Sequence, residues 1–358
     1  MGKQVKEYDS LHLLDKFISD CKRGKRMQKN GEIILPSTIE NYTGLRKLLN
    51  DFSVQKNFPL RIRSTHKLHA RELQTEKNYW EKFYKKFVDY LYDDLDNYDN
   101  YVGSRMKLLR AFFNFINIKY LINTGGFQKL FVGRSEQIQI VVLSPERLNH
   151  LITSKGLEEK LPRRLKIIKD IFVFGCTVGL RVSDLMKISP SAIERRNDKW
   201  YLNVQSQKTQ TFTGIKLPPY AVDILMKYIR RKRQRTIFPY YHKVYLNRYI
   251  KELCEAAGFT EEHKKRRTKR GQVVIVYKDK EKKTHYRFCD LVTTHTMRRT
   301  AVTTLLSLGM DVEAVRTISG HSSGSKEFYR YVKFSQAYLD ETIERAHEKL
   351  LEKELVEA

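Results

Sequence analysis

Apolar residues in the first third of the chain recur every three or four positions, which is the spacing of one face of an α-helix. Three such stripes are present. The first is Ile39, Tyr42, Leu45, Leu49 and Phe52; the second is Trp80, Phe83, Tyr84, Phe87 and Leu91; the third is Met106, Leu109, Phe113 and Ile116. Side chains arranged in this way are typical of helices that pack on one another. We therefore expect a helical domain over residues 1–127.

The first stripe follows the segment Pro36-Ser37-Thr38-Ile39-Glu40. Ser37 and Glu40 have the spacing of a capping box, in which a hydroxyl and a carboxylate three residues apart satisfy each other's backbone N–H groups. The segment therefore predicts a helix whose N-terminus is capped by Ser37.

The helical pattern ends at Gly125-Gly126, and the residues that follow alternate without a clear period, as a linker or an edge strand would. A new unit begins at Ser144-Pro145-Glu146, which offers a hydroxyl for an N-cap and a proline for the first helical position. The apolar run at 171–174 predicts a helix that is buried on most sides. We place a linker at 128–143 and a second domain at 144–358.

Two β-hairpins are predicted inside the second domain. Alternating residues on either side of a polar turn indicate the first hairpin over 199–218. After helices near 219–233 and 246–257, two further alternating arms at 272–277 and 284–288 indicate the second. The predicted fold class is thus mainly α with small β-hairpins, α+β, in two domains.

A run of basic residues lies at the base of the second predicted hairpin. It comprises Lys264, Lys265, Arg266, Arg267, Lys269 and Arg270. Clustered cations of this kind are candidates for contact with a nucleic-acid backbone. A solvated charged face is an equally good interpretation of the run.

The overall charge favours an acidic partner. The chain has 68 Lys and Arg against 41 Asp and Glu, a formal net charge of +27, and so large an excess points to a polyanion such as nucleic acid. An anionic membrane surface is the alternative, but the basic residues are spread through foldable segments rather than gathered on one amphipathic helix. No segment approaches the ~18 uncharged apolar residues of a membrane helix.

The four cysteines, Cys21, Cys176, Cys254 and Cys289, are far apart in the sequence. Their spacing argues against a zinc site or a disulfide framework and suits a reducing compartment. The N-terminus lacks the apolar segment of a secretory signal, and no cluster of carboxylates suited to Mg²⁺ is apparent. We expect a cytoplasmic protein with no metal and no cofactor.

Two polar segments of the second domain contain side chains that could bind a phosphate or donate a proton to its leaving oxygen. Arg181 and Asp184 stand three residues apart on a helix that follows Gly179, so the carboxylate can orient the guanidinium and leave its donor fork for a phosphate. A surface ion pair is the alternative interpretation. Lys208 lies in the turn of the first predicted hairpin, where an ammonium can donate a proton to a leaving oxygen, although most loop lysines are merely solvated.

Two later segments add proton-transferring groups. His295 and Arg298 lie three residues apart at the start of a predicted helix and can converge on one oxyanion; a capping histidine and a solvated arginine are the alternative. Gly320-His321 is followed by Tyr329 and Tyr331. A tyrosine needs cations nearby to act as a nucleophile, because its ordinary pKa is about 10, and paired aromatics are otherwise usually packing residues.

Taken in this order, the Arg, Lys, His-x-x-Arg, Gly-His and Tyr segments resemble the tyrosine recombinase family, which includes the integrases of phages and mobile elements. The resemblance covers about residues 144–340 by motif and the preceding helical domain by size only. It implies a two-domain DNA clamp, in which a helical core-binding, SAM-like domain precedes a catalytic domain with a C-terminal tail helix. It also implies site-specific cleavage and rejoining of DNA strands through a 3′-phosphotyrosyl intermediate, without ATP or metal.

The resemblance further implies a role for each residue. Arg181, supported by the carboxylate three residues later, and Arg298 would bind the scissile phosphate and stabilise its transition state. His295 and His321 would add hydrogen bonds there and help to move protons. Lys208 would protonate the departing 5′ oxygen.

The position of the nucleophile does not follow directly from the spacing that is common in the family. The family commonly places it nine residues after the histidine of the Gly-His motif, and here that position is Arg330. Tyr329 and Tyr331 flank this position and would point ~200° apart on a helix. The run at 328–333 resembles the integrase pattern of apolar, any, basic, Tyr, aliphatic, basic. This pattern favours Tyr331, with an extra residue in the loop at 322–326, and leaves Tyr329 as the alternative nucleophile.

The resemblance implies three kinds of partner: double-stranded DNA, further copies of the chain in a synaptic tetramer on DNA, and accessory DNA-bending proteins. Two other functions stay open. A type IB topoisomerase would relax DNA with a similar residue set, and a non-catalytic DNA-binding accessory protein would explain the shifted tyrosine.

Overall fold

The computed structural model describes residues 6–28, 30–205, 212–229 and 235–335, together with 340, 343–344 and 347. The chain forms two compact units. Unit 1 contains Met1–Ile138 and Arg266–Val276, and unit 2 contains Gln139–Lys265 and Tyr277–Ala358. Helices predominate and the sheets are small, which confirms the predicted α+β fold class.

Unit 1 is built on four long helices. Its elements are β1 (Glu7–Asp9), α1 (Ser10–Lys22), α2 (Pro36–Gln55), β2 (Arg61–Arg63), α3 (Ala70–Asp89), a π-helical turn (Tyr90–Asp94), α4 (Asp99–Lys119) and a 3₁₀ turn (Phe127–Leu130). Strands β1 and β2 pair antiparallel, with Tyr8 opposite Ile62. Helix α1 contacts both α2 and α4.

The predicted apolar stripes form the core of unit 1. Phe52 of α2 packs edge-on against Phe87 of α3, with ring centroids 5.1 Å apart. Trp80 of α3 meets Phe113 of α4 in the same manner at 5.0 Å. Edge-to-face pairs at these distances add to the stabilisation from burial alone. The helical interpretation of the three stripes is confirmed.

The start of α2 differs from the prediction. The helix begins at Pro36, and its N-cap is Leu35, whose carbonyl accepts from the N–H of Ile39 at 3.1 Å. Ser37 lies inside the helix, so the expected capping box at Ser37 is wrong. Pro36 explains the shift, because its φ is already helical and it has no N–H that a cap would need to satisfy.

Unit 2 surrounds a long central helix. In chain order the elements of this part of the sequence are α5 (Pro145–Thr153), α6 (Lys155–Lys160), α7 (Arg163–Val178), α8 (Val182–Leu185), a 3₁₀ turn (Pro190–Ala192), β3 (Ile193–Arg196), β4 (Lys199–Gln205), β5 (Phe212–Lys216), α9 (Pro219–Ile229), α10 (Lys243–Ala256), β6 (Glu262–His263), β7 (Lys265–Lys269), β8 (Gln272–Val276), β9 (Tyr286–Arg287), α11 (Phe288–Leu291), α12 (Thr294–Ser307), α13 (Val312–Ile318) and α14 (326–335). The predicted buried helix is α7, in which Ile171 and Phe174 are fully buried.

Helices α7 and α12 pack closely because a glycine lies between them. A Cβ at Gly175 would fall 2.5 Å from the sulfur of Met297, so no larger residue fits without a shift. Helix α7 then ends at Gly179, which has a left-handed φ of 65° and serves as the C-cap. This packing fixes the position of α12, which carries two of the candidate site residues.

The first predicted hairpin is present, and it forms part of a three-stranded sheet. Strands β4 and β5 pair antiparallel with Leu202 opposite Ile215, and β3 adds a third strand on the other side of β4. The turn into β4 is made by Asn197 and Asp198, both with positive φ. This is the preferred geometry of a two-residue hairpin turn. Residues 206–211, which include Lys208, lie outside the described part of the chain.

The second predicted hairpin is wrong in its strand pairing. Strand β8 pairs with β7, and β9 pairs with β6, so the arms at 272–277 and 284–288 do not form one hairpin with each other. The turn between β7 and β8 is Arg270-Gly271, with φ of 54° and 83°, and this pair favours a tight reversal. The basic run therefore forms a strand itself.

The hairpin Arg266–Val276 belongs to unit 1, whereas the sequence assigned it to the domain at 144–358. Carboxylates of unit 1 hold it in place. Arg267 bonds to Glu136 at 2.7 Å, Arg270 bonds to Asp93 at 2.6 Å, and the Gly271 N–H donates to Asp99 at 3.0 Å. Unit 1 is thus assembled from two separate parts of the sequence, and its first part extends to Ile138, inside the expected linker.

Candidate active site

A cavity of about 640 Å³ opens in unit 2 between α8, α10 and α12. Its wall includes three of the residues that the sequence singled out, namely Arg181, His295 and Arg298. Lys243, the first residue of α10, lines the same cavity. Lys187 lines it as well, so the cavity combines four cationic side chains and an imidazole, which is an arrangement suited to an anion.

Two contacts hold the side chain of Arg298. Its Nη1 donates to the carbonyl of Gly179 at 3.1 Å, and its Nη2 lies 2.9 Å from Nε2 of His321. Burial and the charge of Arg181 lower the pKa of Arg298 to about 10, so the group remains charged at neutral pH. The carbonyl of Gly179, the C-cap of α7, thus orients the guanidinium of Arg298.

Arg181 is the N-cap of α8, directly after the loop that leaves α7. Asp184, buried in α8, and Leu185 both direct their N–H groups to the Arg181 carbonyl at 2.9 Å. The positive charge of Arg181 contributes to lowering the pKa of both Arg298 and His321. Both arginines line the same cavity, and an anion bound between their guanidinium groups would offset the repulsion between the two charges.

His295 is the second residue of α12 and lies on the cavity wall. Burial lowers its pKa below the ordinary value of a histidine, and the charges of Arg299, Lys243 and Arg298 act in the same direction. The imidazole is therefore neutral at neutral pH. A neutral imidazole can donate from one nitrogen and accept at the other.

The start of α12 is anchored by a neighbouring helix. The N–H of Thr294 donates to Oδ1 of Asn247 on α10 at 2.8 Å. This bond satisfies one of the N–H groups that have no partner inside the first turn of a helix. It also ties the residues that follow, His295 and Arg298, to α10.

His321 follows α13 and Gly320, whose φ of 60° turns the chain back toward α12. Its Nδ1 lies 2.7 Å from the hydroxyl of Ser319. Burial, followed by the charges of Arg298 and Arg181, lowers the pKa of His321 to about 3. The imidazole is neutral over the whole physiological pH range.

The two candidate nucleophiles differ in environment. The side chain of Tyr331 is buried, with 5% of the residue exposed, and its ring centroid is 6.0 Å from that of His321. Tyr329 is 45% exposed, and its ring centroid is 5.9 Å from that of Phe328. Both lie on α14, whose neighbouring positions face different directions. The structure brings Tyr331, and not Tyr329, to the group formed by Arg298 and His321.

The segment between His321 and α14 contains a hydrogen-bonded turn, in which the N–H of Ser325 donates to the carbonyl of Ser322 at 3.1 Å. Phe328 and Tyr331 then face inward together with Val315 and Leu306. The spacing from His321 to Tyr331 is ten residues, and this turn accommodates the residue beyond the common spacing.

The basic run at 264–270 divides into two groups. Arg267, Lys269 and Arg270 are held by Glu136, Asp96, and Asp89 with Asp93, respectively. These carboxylates balance the three charges locally, and contact of the three residues with DNA stays a prediction. Lys264 and Arg266 are exposed, and the ammonium of Lys265 lies 4.6 Å from the centroid of the Tyr286 ring.

Sequence reasoning missed three residues of the site: Lys243, Asn247 and Ser319. Each acts through a helix end or a side-chain contact that depends on the folded arrangement. None of the three belongs to a motif, although Ser319 directly precedes Gly320-His321. Among the residues that the structure describes, no group of three or more His, Cys, Asp or Glu is placed to hold a metal ion. None of the helices in the described part of the chain has the length and apolar character needed to cross a membrane.

The chain belongs to the phage integrase family, whose profile matches residues 143–337. It is a site-specific recombinase of the tyrosine type, as the sequence predicted. No curated protein sequence matches the chain.

Solved structures show the same fold at low sequence identity. A lambda integrase dimer bound to a COC′ core site superposes with a TM-score of 0.58 and 14% identity, covering 90% of this chain and 94% of that chain. A lambda integrase tetramer bound to a Holliday junction gives a TM-score of 0.57 and 15% identity, covering 88% and 78%. The integrase of transposon Tn1549 in complex with transposon right end DNA gives 0.55 and 15%, covering 91% and 94%.

Proposed function

We propose that Arg181, His295, Arg298, His321 and Tyr331 form the DNA cleavage site of this recombinase. The observation that carries the proposal is the contact of Arg298 with His321, beside the buried Tyr331 and on the wall of the cavity that holds Arg181 and His295. Residues from α8, α12, the loop after α13 and α14 meet here. Asp184, buried in the first turn after Arg181, supports that arginine.

The reaction is a transfer of a phosphoryl group to tyrosine. The Tyr331 hydroxyl attacks phosphorus, an O–P bond forms, and the bond from phosphorus to the 5′ oxygen breaks. The tyrosine proton passes to a neutral imidazole of the site, and Lys208 supplies the proton that the 5′ oxygen takes up. The 3′-phosphotyrosyl linkage keeps the energy of the broken bond, so rejoining is the same reaction in reverse and needs no cofactor.

The two arginines supply the stabilisation of the transition state. Charge accumulates on the non-bridging oxygens of phosphorus, and fixed donors aimed at those oxygens typically contribute the largest share of catalysis. Arg298 is suited to this role because Gly179 and His321 already hold its guanidinium in one plane. Little reorientation is then needed when the phosphate arrives.

The proposed substrate is double-stranded DNA. A net charge of +27 gives the chain a strong and salt-dependent attraction to phosphates, and the structures with the same fold are bound to DNA. We further propose that the chain assembles as a synaptic tetramer on its sites, as the lambda integrase does on a Holliday junction. In this proposal, accessory DNA-bending proteins assist the assembly of the tetramer. The protein acts on DNA in the cytoplasm.

A suicide DNA substrate tests the cleavage site. The nick in such a substrate lets the short fragment that carries the free 5′-hydroxyl diffuse away and traps the covalent adduct, which peptide mapping then locates. We expect the adduct on Tyr331, its loss in Tyr331→Phe, and its retention in the matched variant Tyr329→Phe. An adduct on any other residue overturns the assignment.

Plasmid relaxation and the adduct assay together separate the alternative functions. Relaxation of a plasmid that lacks any recombination site, without strand exchange, would identify a topoisomerase-like activity. Normal DNA binding with no covalent adduct from the wild-type chain would identify a non-catalytic accessory protein. We expect neither outcome, because Tyr331 is buried beside His321 and Arg181, His295 and Arg298 line one cavity.

A further inference from the structure

Ser319 lies at the end of α13 and has no role in the chemistry described above. The residue is 4% exposed. Its Oγ lies 2.7 Å from the carbonyl oxygen of Val315, 3.2 Å from that of Arg316, and 2.7 Å from Nδ1 of His321. The hydroxyl is thus enclosed by two carbonyl acceptors and one imidazole nitrogen.

Counting protons settles which group donates. A serine hydroxyl has a single proton, and a carbonyl oxygen has none. At 2.7 Å the approach of Ser319 Oγ to the Val315 oxygen needs a proton between the two oxygens, so the hydroxyl donates there. The equally short distance to Nδ1 of His321 then needs its proton from the imidazole.

The opposite side of the ring gives the same answer independently. Nε2 of His321 lies 2.9 Å from Nη2 of Arg298. A guanidinium can only donate, so Nε2 must accept and cannot carry a proton. The hydrogen bonds on both sides of the ring are therefore satisfied by one neutral form of His321, with its proton on Nδ1.

We propose that Ser319 is a positioning residue of the cleavage site, which holds His321 in the Nδ1–H tautomer so that Nε2 orients the guanidinium of Arg298. The proposal rests on the assignment of Arg298 as a phosphate ligand. Arg298 has five N–H groups, of which Gly179 and His321 engage two. Gly179 and His321 do not engage the other three N–H groups, which we assign to the phosphate.

The tautomer matters because the wrong one would reverse the interaction. If Nε2 carried the proton, two N–H donors would face each other across 2.9 Å, and Arg298 would turn away. A doubly protonated ring would produce the same clash and add a positive charge beside Arg298. Burial and the two arginines already disfavour that charged form of His321, and Ser319 selects between the two neutral forms.

Nitrogen NMR of the full-length, DNA-free chain tests the proposal directly. The histidines are labelled with ¹⁵N, and the signals of His321 are assigned by their absence in His321→Gln. In the wild-type chain we expect Nδ1 to be protonated and Nε2 to be unprotonated. In Ser319→Ala we expect the two resonances to move toward each other, as the tautomers mix. A wild-type ring protonated on Nε2, or no change in Ser319→Ala, overturns the proposal.

Cleavage of the suicide substrate provides the second measurement. Ser319→Ala should slow formation of the adduct roughly tenfold, the order expected when one orienting hydrogen bond is removed, and leave DNA affinity unchanged. Ser319→Thr keeps the hydroxyl and should restore both the tautomer and most of the rate. An unchanged rate in Ser319→Ala contradicts the positioning role.

A matched control excludes a general effect of removing a helix hydroxyl. Ser307 on α12 donates to the carbonyl of Thr303 at 2.7 Å, which is the same type of bond that Ser319 makes to Val315. Ser307→Ala should leave the His321 resonances and the cleavage rate at wild-type values. Because the NMR measurement needs no DNA, it stays informative even if Arg298 proves to have another role and the proposed cleavage site is wrong.

Discussion

Oδ1 of Asn247 accepts a hydrogen bond from the backbone N–H of Thr294 at 2.8 Å, and so joins α10 to the first residue of α12. A side chain on one helix thereby caps the N-terminus of another. The first turn of α12 carries His295 and is followed directly by Arg298. The placement of both residues depends on how firmly this helix end is held.

We expect Asn247→Ala to lower the free energy of unfolding by about 1 kcal/mol, the usual effect of removing a helix cap. The cleavage rate should fall as well, because His295 and Arg298 move with the loosened helix end. Asn247→Asp keeps an acceptor in the same place and should retain wild-type stability. Urea unfolding of the three chains checks the prediction, and equal stability of Asn247→Ala and wild type would refute it.

Replacing Arg298 by lysine should reduce the cleavage rate about a hundredfold or more. Lysine keeps the charge, but a single ammonium cannot reach Gly179, His321 and the phosphate with the fixed geometry of a guanidinium. DNA affinity should change little, because many interactions with phosphates contribute to it. Single-turnover cleavage and a binding titration measure the two effects separately.

The matched control for Arg298→Lys is Arg195→Lys, since Arg195 is an exposed residue of β3 paired with Asp198. It should cleave at the wild-type rate. If Arg298→Lys also cleaves at the wild-type rate, the fixed guanidinium plane has no catalytic importance.

The environment of His321 predicts a loss of stability in mild acid. Its pKa is about 3 in the folded chain and about 6.5 when unfolded, so the unfolded chain binds the proton more readily. The contribution to stability is complete above about pH 6.5 and is lost as the pH falls from there toward the folded-state pKa. Urea unfolding at about pH 7 and about pH 5 should show a smaller decrease in stability in His321→Gln than in wild type.

The control for this pH effect is His12→Gln, because His12 lies on the exposed surface of α1. Its decrease in stability between the same two pH values should match that of wild type. An equal decrease in all three chains would show that His321 does not titrate as its surroundings imply.

The sequence predicted the helices better than the pairings between distant segments. Periodicity located α2, α3 and α4 because each presents its own apolar face, a local property. Arg298 and His321 were recognisable from their motifs, whereas Ser319 was not. Its importance comes from a carbonyl, an imidazole and a hydroxyl that meet only in the folded chain.

The hairpin Arg266–Val276 shows the same limit in the fold. Alternation in β8 indicated a strand correctly, but a strand does not specify its partner. The turn Arg270-Gly271 that follows the basic strand β7 bonds to an acidic segment that contains Asp89, Asp93 and Asp99, far away in the sequence. Charge complementarity between two such runs is visible in the sequence, but it does not distinguish an internal ion pair from binding to DNA.

The ion pair of Arg267 with Glu136 should stabilise unit 1 more than the other ion pairs of the hairpin. The Glu136 side chain is 3% exposed and also accepts from the N–H of Thr268. Glu136→Gln should therefore lower the free energy of unfolding by about 2 kcal/mol, because buried charged groups lose a partner. Asp96→Asn removes an exposed pair with Lys269 and should cost about 0.5 kcal/mol or less. Equal effects in urea unfolding would contradict this ranking.

The division of the basic run into paired and exposed residues predicts which of them bind DNA. Lys264→Ala and Arg266→Ala should weaken binding, and each phosphate that is no longer neutralised should lower the slope of log affinity against log salt by about 0.9. Lys269→Ala should leave the slope unchanged, because Asp96 already balances that charge. Titrations of a duplex at several salt concentrations distinguish these outcomes. A reduced slope in Lys269→Ala alone would mean that the ion pair opens on DNA and that the hairpin's charges are released for binding.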